Sequence, residues 1–168
     1  MTETPEEYRA RLATYVEGRD ALELQETAPR TLARLLEGVD DERLRQRPGP
    51  ARWSVVEILA HMAEDELVSS WRYRQMIEHD GALLAGFDQD LWARLGEYAS
   101  WTARDALEMF RLLREANLRM LRALSPEEWE RGGRHEERGP LSVRDLAGHM
   151  AAHDVNHIKQ VATLLGRS

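Results

Sequence analysis

The sequence predicts an all-α protein, a bundle of four long helices preceded by a short N-terminal helix. Three observations predict it. Apolar residues recur at helical spacing over long stretches, alternation with β-branched enrichment is nearly absent, and each long stretch opens on a hydroxyl or carboxylate N-cap. The 168 residues form one expected domain, 1–168, large enough to bury a core without disulfides or a structural metal.

The elements follow in order along the chain. Thr4-Pro5-Glu6-Glu7 supplies a capping hydroxyl, a proline at the first helical position and acids that suit the helix dipole, and Gly18 ends this first short helix. The stretch from Asp20 to Glu37 carries Leu22, Leu32, Leu35 and Leu36 and is closed by Gly38. Pro29 inside it has no backbone donor, which predicts a kink or a restart near Thr27. Residues 40–52 end in the loop signal Pro48-Gly49-Pro50. Ser54-Val55-Val56-Glu57 is a capping box opening a helix to about His79, with Val55, Ile58, Leu59, Met62, Leu67 and Ile77 on its core face. Residues 80–100, with three glycines and several aromatics, read as a long connection. Thr102-Ala103-Arg104-Asp105 opens the third long helix, with Leu107, Phe110, Leu113, Leu118 and Leu121. Ser125-Pro126-Glu127-Glu128 starts only a short turn, and Gly132-Gly133 and Gly139-Pro140 bound a loop before Ser142-Val143-Arg144-Asp145 begins the last helix, which ends at Gly166. Connections of roughly 15 to 20 residues can cross a bundle end, so simple up-down-up-down order is not required.

Composition removes several function classes. With 23 basic against 30 acidic side chains and a net charge of -7, the chain lacks the concentrated positive surface that nucleic acid demands. The cluster Arg43, Arg45, Arg47 and Arg52 flanks Pro-Gly-Pro and reads as a solvated loop. No run approaches 18 apolar residues and the first residues are acidic, so no membrane partner is expected and the location is expected to be cytoplasmic. Zero cysteine excludes disulfides, thiolate metal sites and a cysteine nucleophile.

Two segments repeat. Ser54 to Glu66 reads SVVEILAHMAEDE, and Ser142 to Asp154 reads SVRDLAGHMAAHD, matching Ser, Val, the acid, His, Met and Ala without a gap. The repeat predicts two equivalent helices with His61 facing His149 across a pseudo-twofold axis. The second copy continues to His153 and His157. A spacing of four advances only about 40° around a helix, so His149, His153 and His157 share one face. An i, i+4 pair places two imidazole nitrogens on one ion, and His61 is the candidate third ligand from the opposing helix. Three imidazoles would leave a coordination position open for water or substrate. Burying them without a metal or carboxylates would cost several kcal/mol. Glu57, Asp65, Glu66 and Asp154 are candidates to orient the rings. His79 and His135 fall in loops or at a helix end and are expected to have no such role.

These residues resemble the DinB/YfiT superfamily of bacterial metal-binding four-helix bundles. The pieces that carry the resemblance are RPGPARWSVVEILAHMAEDE and LSVRDLAGHMAAHDVNHIKQV, the second holding an H-x-x-x-H pair followed by glutamine. The resemblance covers the whole chain and implies an up-down-down-up bundle, a homodimer, and one divalent ion, nickel or zinc with iron or manganese as further candidates. It places the metal ligands at His61, His153 and His157, with His149 auxiliary or an alternative ligand. It further implies a small-molecule substrate and either transfer from a low-molecular-weight thiol cosubstrate, as in the family's thiol S-transferases and mycothiol-dependent isomerase, or hydrolysis by an activated water. A non-catalytic, stress-related protein that binds metal or a small ligand is the alternative, since no unambiguous general acid or base accompanies the histidines. Trp53, Trp92 and Trp101 are candidates to line the pocket, and Arg72 or Arg74 to meet a carboxylate. The absence of cysteine means that any thiolate would arrive with a cosubstrate.

Overall fold

The computed structural model describes residues 4–167; the expected domain's ends, 1–3 and 168, lie outside them. Among the described residues the elements run α1 (Pro5–Thr14), α2 (Ala21–Leu36), α3 (Asp41–Arg45), α4 (Val55–Glu78), β1 (Ala82–Leu84), α5 (Gln89–Leu95), a 3-10 turn (Tyr98–Ser100), α6 (Ala103–Leu121), α7 (Pro126–Glu130), β2 (Gly132–His135), β3 (Gly139–Ser142) and α8 (Val143–Leu165). The caps fall where the sequence places them. Thr4, Ser54, Ser125 and Ser142 each form a reciprocal capping box, and Asp20 and Thr102 cap α2 and α6 through their side chains.

The four long helices α2, α4, α6 and α8 form the bundle. At one end Leu32 and Leu35 of α2 join Val55, Ile58 and Leu59 of α4, Ala103, Ala106 and Phe110 of α6 and Val161 of α8. At the other end Leu22 packs with Tyr73, Met76, Leu121, Leu146 and Met150. Since α4 and α6 both begin at the first end, they are parallel, and α2 and α8 run against them. The order is up-down-down-up. In this order α2 packs chiefly against α8 and α6, and α4 against α6 and α8, so the successive pairs α2/α4 and α6/α8 lie across diagonals.

This topology explains the long connection after α4. That helix has 24 residues and spans about 36 Å, and a parallel α6 can start only after the chain has returned the same distance. Residues 79–102 make the return through β1, α5 and the 3-10 turn.

Two expectations need correction. Pro29 does not restart α2; the helix is continuous from Ala21 to Leu36. The carbonyl that Pro29 cannot serve is that of Gln25, and the buried Arg114 of α6 donates to it at 3.0 Å. The expected loops also contain a small sheet, β1 parallel to β2 and β2 antiparallel to β3. Gly132 and Gly133 signal turns in the sequence, yet they serve close approach: a Cβ on Gly133 would lie 2.7 Å from Leu84 Cδ1 and 2.8 Å from the Ala82 carbonyl oxygen. Strands of three or four residues leave too short a pattern to read.

Candidate metal centre

Two capping boxes fix where the site's helices begin. The Ser54 hydroxyl accepts from the Glu57 N–H, and the Glu57 carboxylate accepts from the Ser54 N–H at 2.9 Å and from the Arg47 guanidinium. Ser142 and Asp145 make the same reciprocal pair at the start of α8. Because α4 and α8 are antiparallel, His61, early in α4, lies level with the middle of α8. It therefore meets His153 and His157 rather than its repeat counterpart His149. The Nε2 atoms of His61 and His153 are 3.1 Å apart, and those of His157 and His153 are 3.0 Å apart. All three rings are buried, and one nitrogen from each falls within 4.8 Å of the others.

Burial pushes these imidazoles toward the neutral form, and neighbouring histidines add to it for His153 and His157. His157 is lowered to about 3 by burial and by His61, with Gln160 opposing. His153 is held well below its ordinary value by burial, His157 and His61, while for His61 burial outweighs the opposing charges of Asp65 and Glu64. The Nδ1 of His157 lies 3.0 Å from Gln160 Oε1, an acceptor when the amide is so oriented, which leaves the ring's Nε2 lone pair free.

The chemistry of this donor set fits a cation. A neutral His153 Nε2 carries either one proton or one lone pair, so it cannot fully satisfy two neighbouring imidazole nitrogens at 3.0 and 3.1 Å. The Nδ1 atoms of His61 and His153 are buried without a hydrogen-bond partner among the described residues, so no described acceptor holds the rings there. Nitrogens sharing one tetrahedral zinc lie about 3.4 Å apart, close to these separations. Asp65 Oδ2 is 3.6 Å from His153 Nε2, and burial raises the Asp65 carboxyl's pKa against the pull of His61 and Arg72.

The cluster opens on a cavity of about 690 Å³. Trp53 lines it and packs its ring 5.0 Å from that of His61. Trp92 instead stacks on Phe87, 4.7 Å between centroids, and Trp101 packs against Tyr98 and donates Nε1–H to the Gly96 carbonyl; neither lines the cavity. Arg72 is in the wall, whereas Arg74 donates to Ser70 and Asn117 outside it. His149 lines the cavity with its ring 6.1 Å from that of His153, outside the cluster. His79 is exposed at the end of α4, as expected. His135 lies outside the cluster, but it ends β2, is buried, and lines the cavity together with Arg138.

Of the four acids expected to orient the rings, only Asp65 lies beside them. Glu57 belongs to the α4 cap. Glu66 and Asp154 both accept from Arg114, and Asn117 Nδ2 donates to Glu66 Oε1 at 2.7 Å, forming a buried polar layer adjoining the cluster in sequence. Sequence reading missed Arg114 because an arginine in an amphipathic helix looks solvated. The proximity of the buried pair Glu66 and Asp154 to the site histidines was the available signal.

An up-down-down-up helical bundle with three converging imidazoles beside a cavity defines the class of protein. The chain belongs to the DinB superfamily, whose model matches residues 24–161. It is 25% identical over 142 residues to an Oceanobacillus iheyensis protein named by inference as a metal-dependent hydrolase, covering 84% of this chain and 82% of that one. It is 21% identical over 163 residues to Bacillus subtilis YfiT, named in the same way, covering 96% and 92%. The solved structure of YfiT, described as an unusual four-helix bundle topology, superposes with a TM-score of 0.79 at 18% identity over 99% of this chain and 92% of that chain. That likeness establishes the fold. No helix among the described residues is long and apolar enough to cross a membrane.

Proposed function

We propose that His61, His153 and His157 hold one divalent cation, zinc or nickel, and that the chain is a metal-dependent hydrolase acting on a small molecule in the adjoining cavity. The observation that carries this reading is the convergence of three buried Nε2 atoms, two of the pairs at 3.0 and 3.1 Å. The names of the relatives from Oceanobacillus iheyensis and Bacillus subtilis support it. When bound, the ion supplies Lewis acidity that makes a water or a small thiol nucleophilic near neutral pH.

The chain's own residues do the rest. The two capping boxes fix where α4 and α8 begin, and Gln160 orients the His157 ring. Asp65 places a buried carboxylate where it can accept a proton from a nucleophile held at the histidines. Trp53 covers one side of His61 and limits water there.

Metal content tests the site. Purified chain is expected to carry close to one equivalent of metal, and a folded His153→Ala, His157→Ala variant is expected to carry none; stoichiometric metal in that variant sinks the assignment. A second reading, thiol transfer, is favoured by a cavity large enough for a cosubstrate, which would have to bring the sulfur because the chain has no cysteine. Cobalt-substituted protein separates the two. A sulfur-to-cobalt charge-transfer band on adding small thiols supports transfer, whereas metal-dependent hydrolysis of 4-nitrophenyl acetate with no such band supports the hydrolase.

A further inference from the structure

The chain buries two guanidinium groups in very different company. Arg114, 1% exposed, is matched by the carboxylates of Glu66 and Asp154. Arg72, 6% exposed, forms no ion pair among the described residues. Its contacts are one hydrogen bond to the Ala85 carbonyl at 2.6 Å and the Phe87 ring, 5.8 Å from its centre. A guanidinium has five N–H donors, and burying its charge without a counterion is costly. Arg72 nevertheless forms part of the cavity wall that the histidine cluster shares.

Arg138 lines the same cavity, also without an ion pair or hydrogen bond among the described residues. It stands close enough to Arg72 to oppose its charge, and both oppose protonation of His135 and His149. Three acids line the cavity as well, but none pairs with either arginine among the described residues. Asp65 and Glu137 act on Arg72 without reaching it as ion pairs, and Asp88 spends its carboxylate on the N–H groups that open α5. A dication on the histidines would tip the lining, two arginines against Asp65, Asp88 and Glu137, to a net positive charge.

We propose that Arg72 and Arg138 form an anion-recognition site in this cavity, binding a carboxylate or phosphate group of the substrate while its reacting centre lies at the histidines. The proposal rests on the reading of the cavity as the substrate site and assigns the substrate class: a small anionic molecule. Arg72 supplies a planar, buried fork fixed by Ala85, suited to two-point contact with either anion. Arg138, at the exposed rim, supplies a second charge.

Calorimetric titration of the zinc-loaded chain with acetate, acetamide and inorganic phosphate tests it, with zinc content measured in every sample. One of the two anions is expected to bind at least tenfold more tightly than acetamide, and whichever binds better assigns carboxylate or phosphate. Arg72→Gln and Arg138→Gln are each expected to weaken that anion at least fivefold with zinc content unchanged. Equal anion affinity in the wild type and both variants, with zinc retained, overturns the proposal, because the anion then sits on the metal alone. If Arg72→Gln does not fold, exposed Arg138 decides. Failure of the metal reading has a separate signature: the wild type does not hold zinc, or His153→Ala, His157→Ala holds as much. The same titration of metal-free chain then still reads the two arginines.

Discussion

Gln160 Oε1 lies 3.0 Å from Nδ1 of His157, one helical turn along α8 on the same face as the site. With the amide oxygen facing the ring, the contact puts the proton on Nδ1 and leaves the lone pair on Nε2, the atom that faces His153. Partners of this kind change metal affinity about 10- to 100-fold when removed. Gln160→Leu is therefore expected to weaken zinc binding by about that factor while leaving the thermal midpoint of the metal-free chain nearly unchanged. Gln160→Glu, which keeps an acceptor, is expected to retain the affinity. Competition against a chromogenic chelator measures both.

Arg114 of α6 ties α2, α4 and α8 together. It meets Asp154 of α8, Glu66 of α4 and the Gln25 carbonyl that Pro29 leaves without a helical donor. Burial works against its charge, but Asp154 and Glu66 outweigh that and keep it protonated. Arg114→Met would strand two buried carboxylates, and removing one partner of a buried ion pair costs about 3–5 kcal/mol. Urea denaturation of the metal-free chain is expected to show a loss of that size. Pro29→Ala, by contrast, is expected to shift stability by less than about 1 kcal/mol, because the affected carbonyl already has a donor.

The sequence made the bundle and three of its histidines legible because both depend on local pattern: caps, helical spacing and the i, i+4 geometry of His153 and His157. The meeting of His61 with His153 depends on the antiparallel register of two helices, which the repeat alone misplaced onto His149. His135 and Arg138 were illegible for a different reason. They reach the cavity through the pairing of β2 with β1, a contact between residues about 50 positions apart whose strands are too short and too rich in glycine to announce themselves. Trp92 and Trp101 have the composition of pocket residues but are turned toward Phe87 and Tyr98.

Stability of the metal-free chain is expected to fall as the medium is acidified. Burial is the main cause that holds His149 and His157 to about 3 and His153 well below its ordinary range. In the unfolded chain each takes a proton near pH 6.5. Between these values each of these histidines binds more protons in the unfolded state, so its contribution, present above about pH 6.5, is lost as pH drops, by about 1.4 kcal/mol per pH unit. This loss outweighs the opposite trend from the buried Asp154, raised by burial to about 7, and Asp65. Urea midpoints measured from pH 8 to pH 5 test this. His149→Phe is expected to flatten the slope; an unchanged slope would show that His149 is protonated in the folded chain.

Two glycines beside the site are expected to answer oppositely to alanine. Gly133 lies where a Cβ would press on Leu84 Cδ1 at 2.7 Å and the Ala82 carbonyl oxygen at 2.8 Å, and the latter, being backbone, cannot yield without moving β1 away from β2. Gly133→Ala is therefore expected to cost about 1–3 kcal/mol, the range for overpacking a tight site. Because His135 ends the same strand, it should also alter the cavity wall, read as a shifted His135 ring resonance. Gly148 lies inside α8, one residue before His149, with nothing within 4 Å of its missing Cβ. There alanine only removes unfolded-state freedom, and Gly148→Ala is expected to stabilise the chain by about 0.5–1 kcal/mol. Comparable destabilisation by both substitutions would mean that the open space at Gly148 is filled, and equal stabilisation would mean that β1 and β2 do not pair as closely as their register requires.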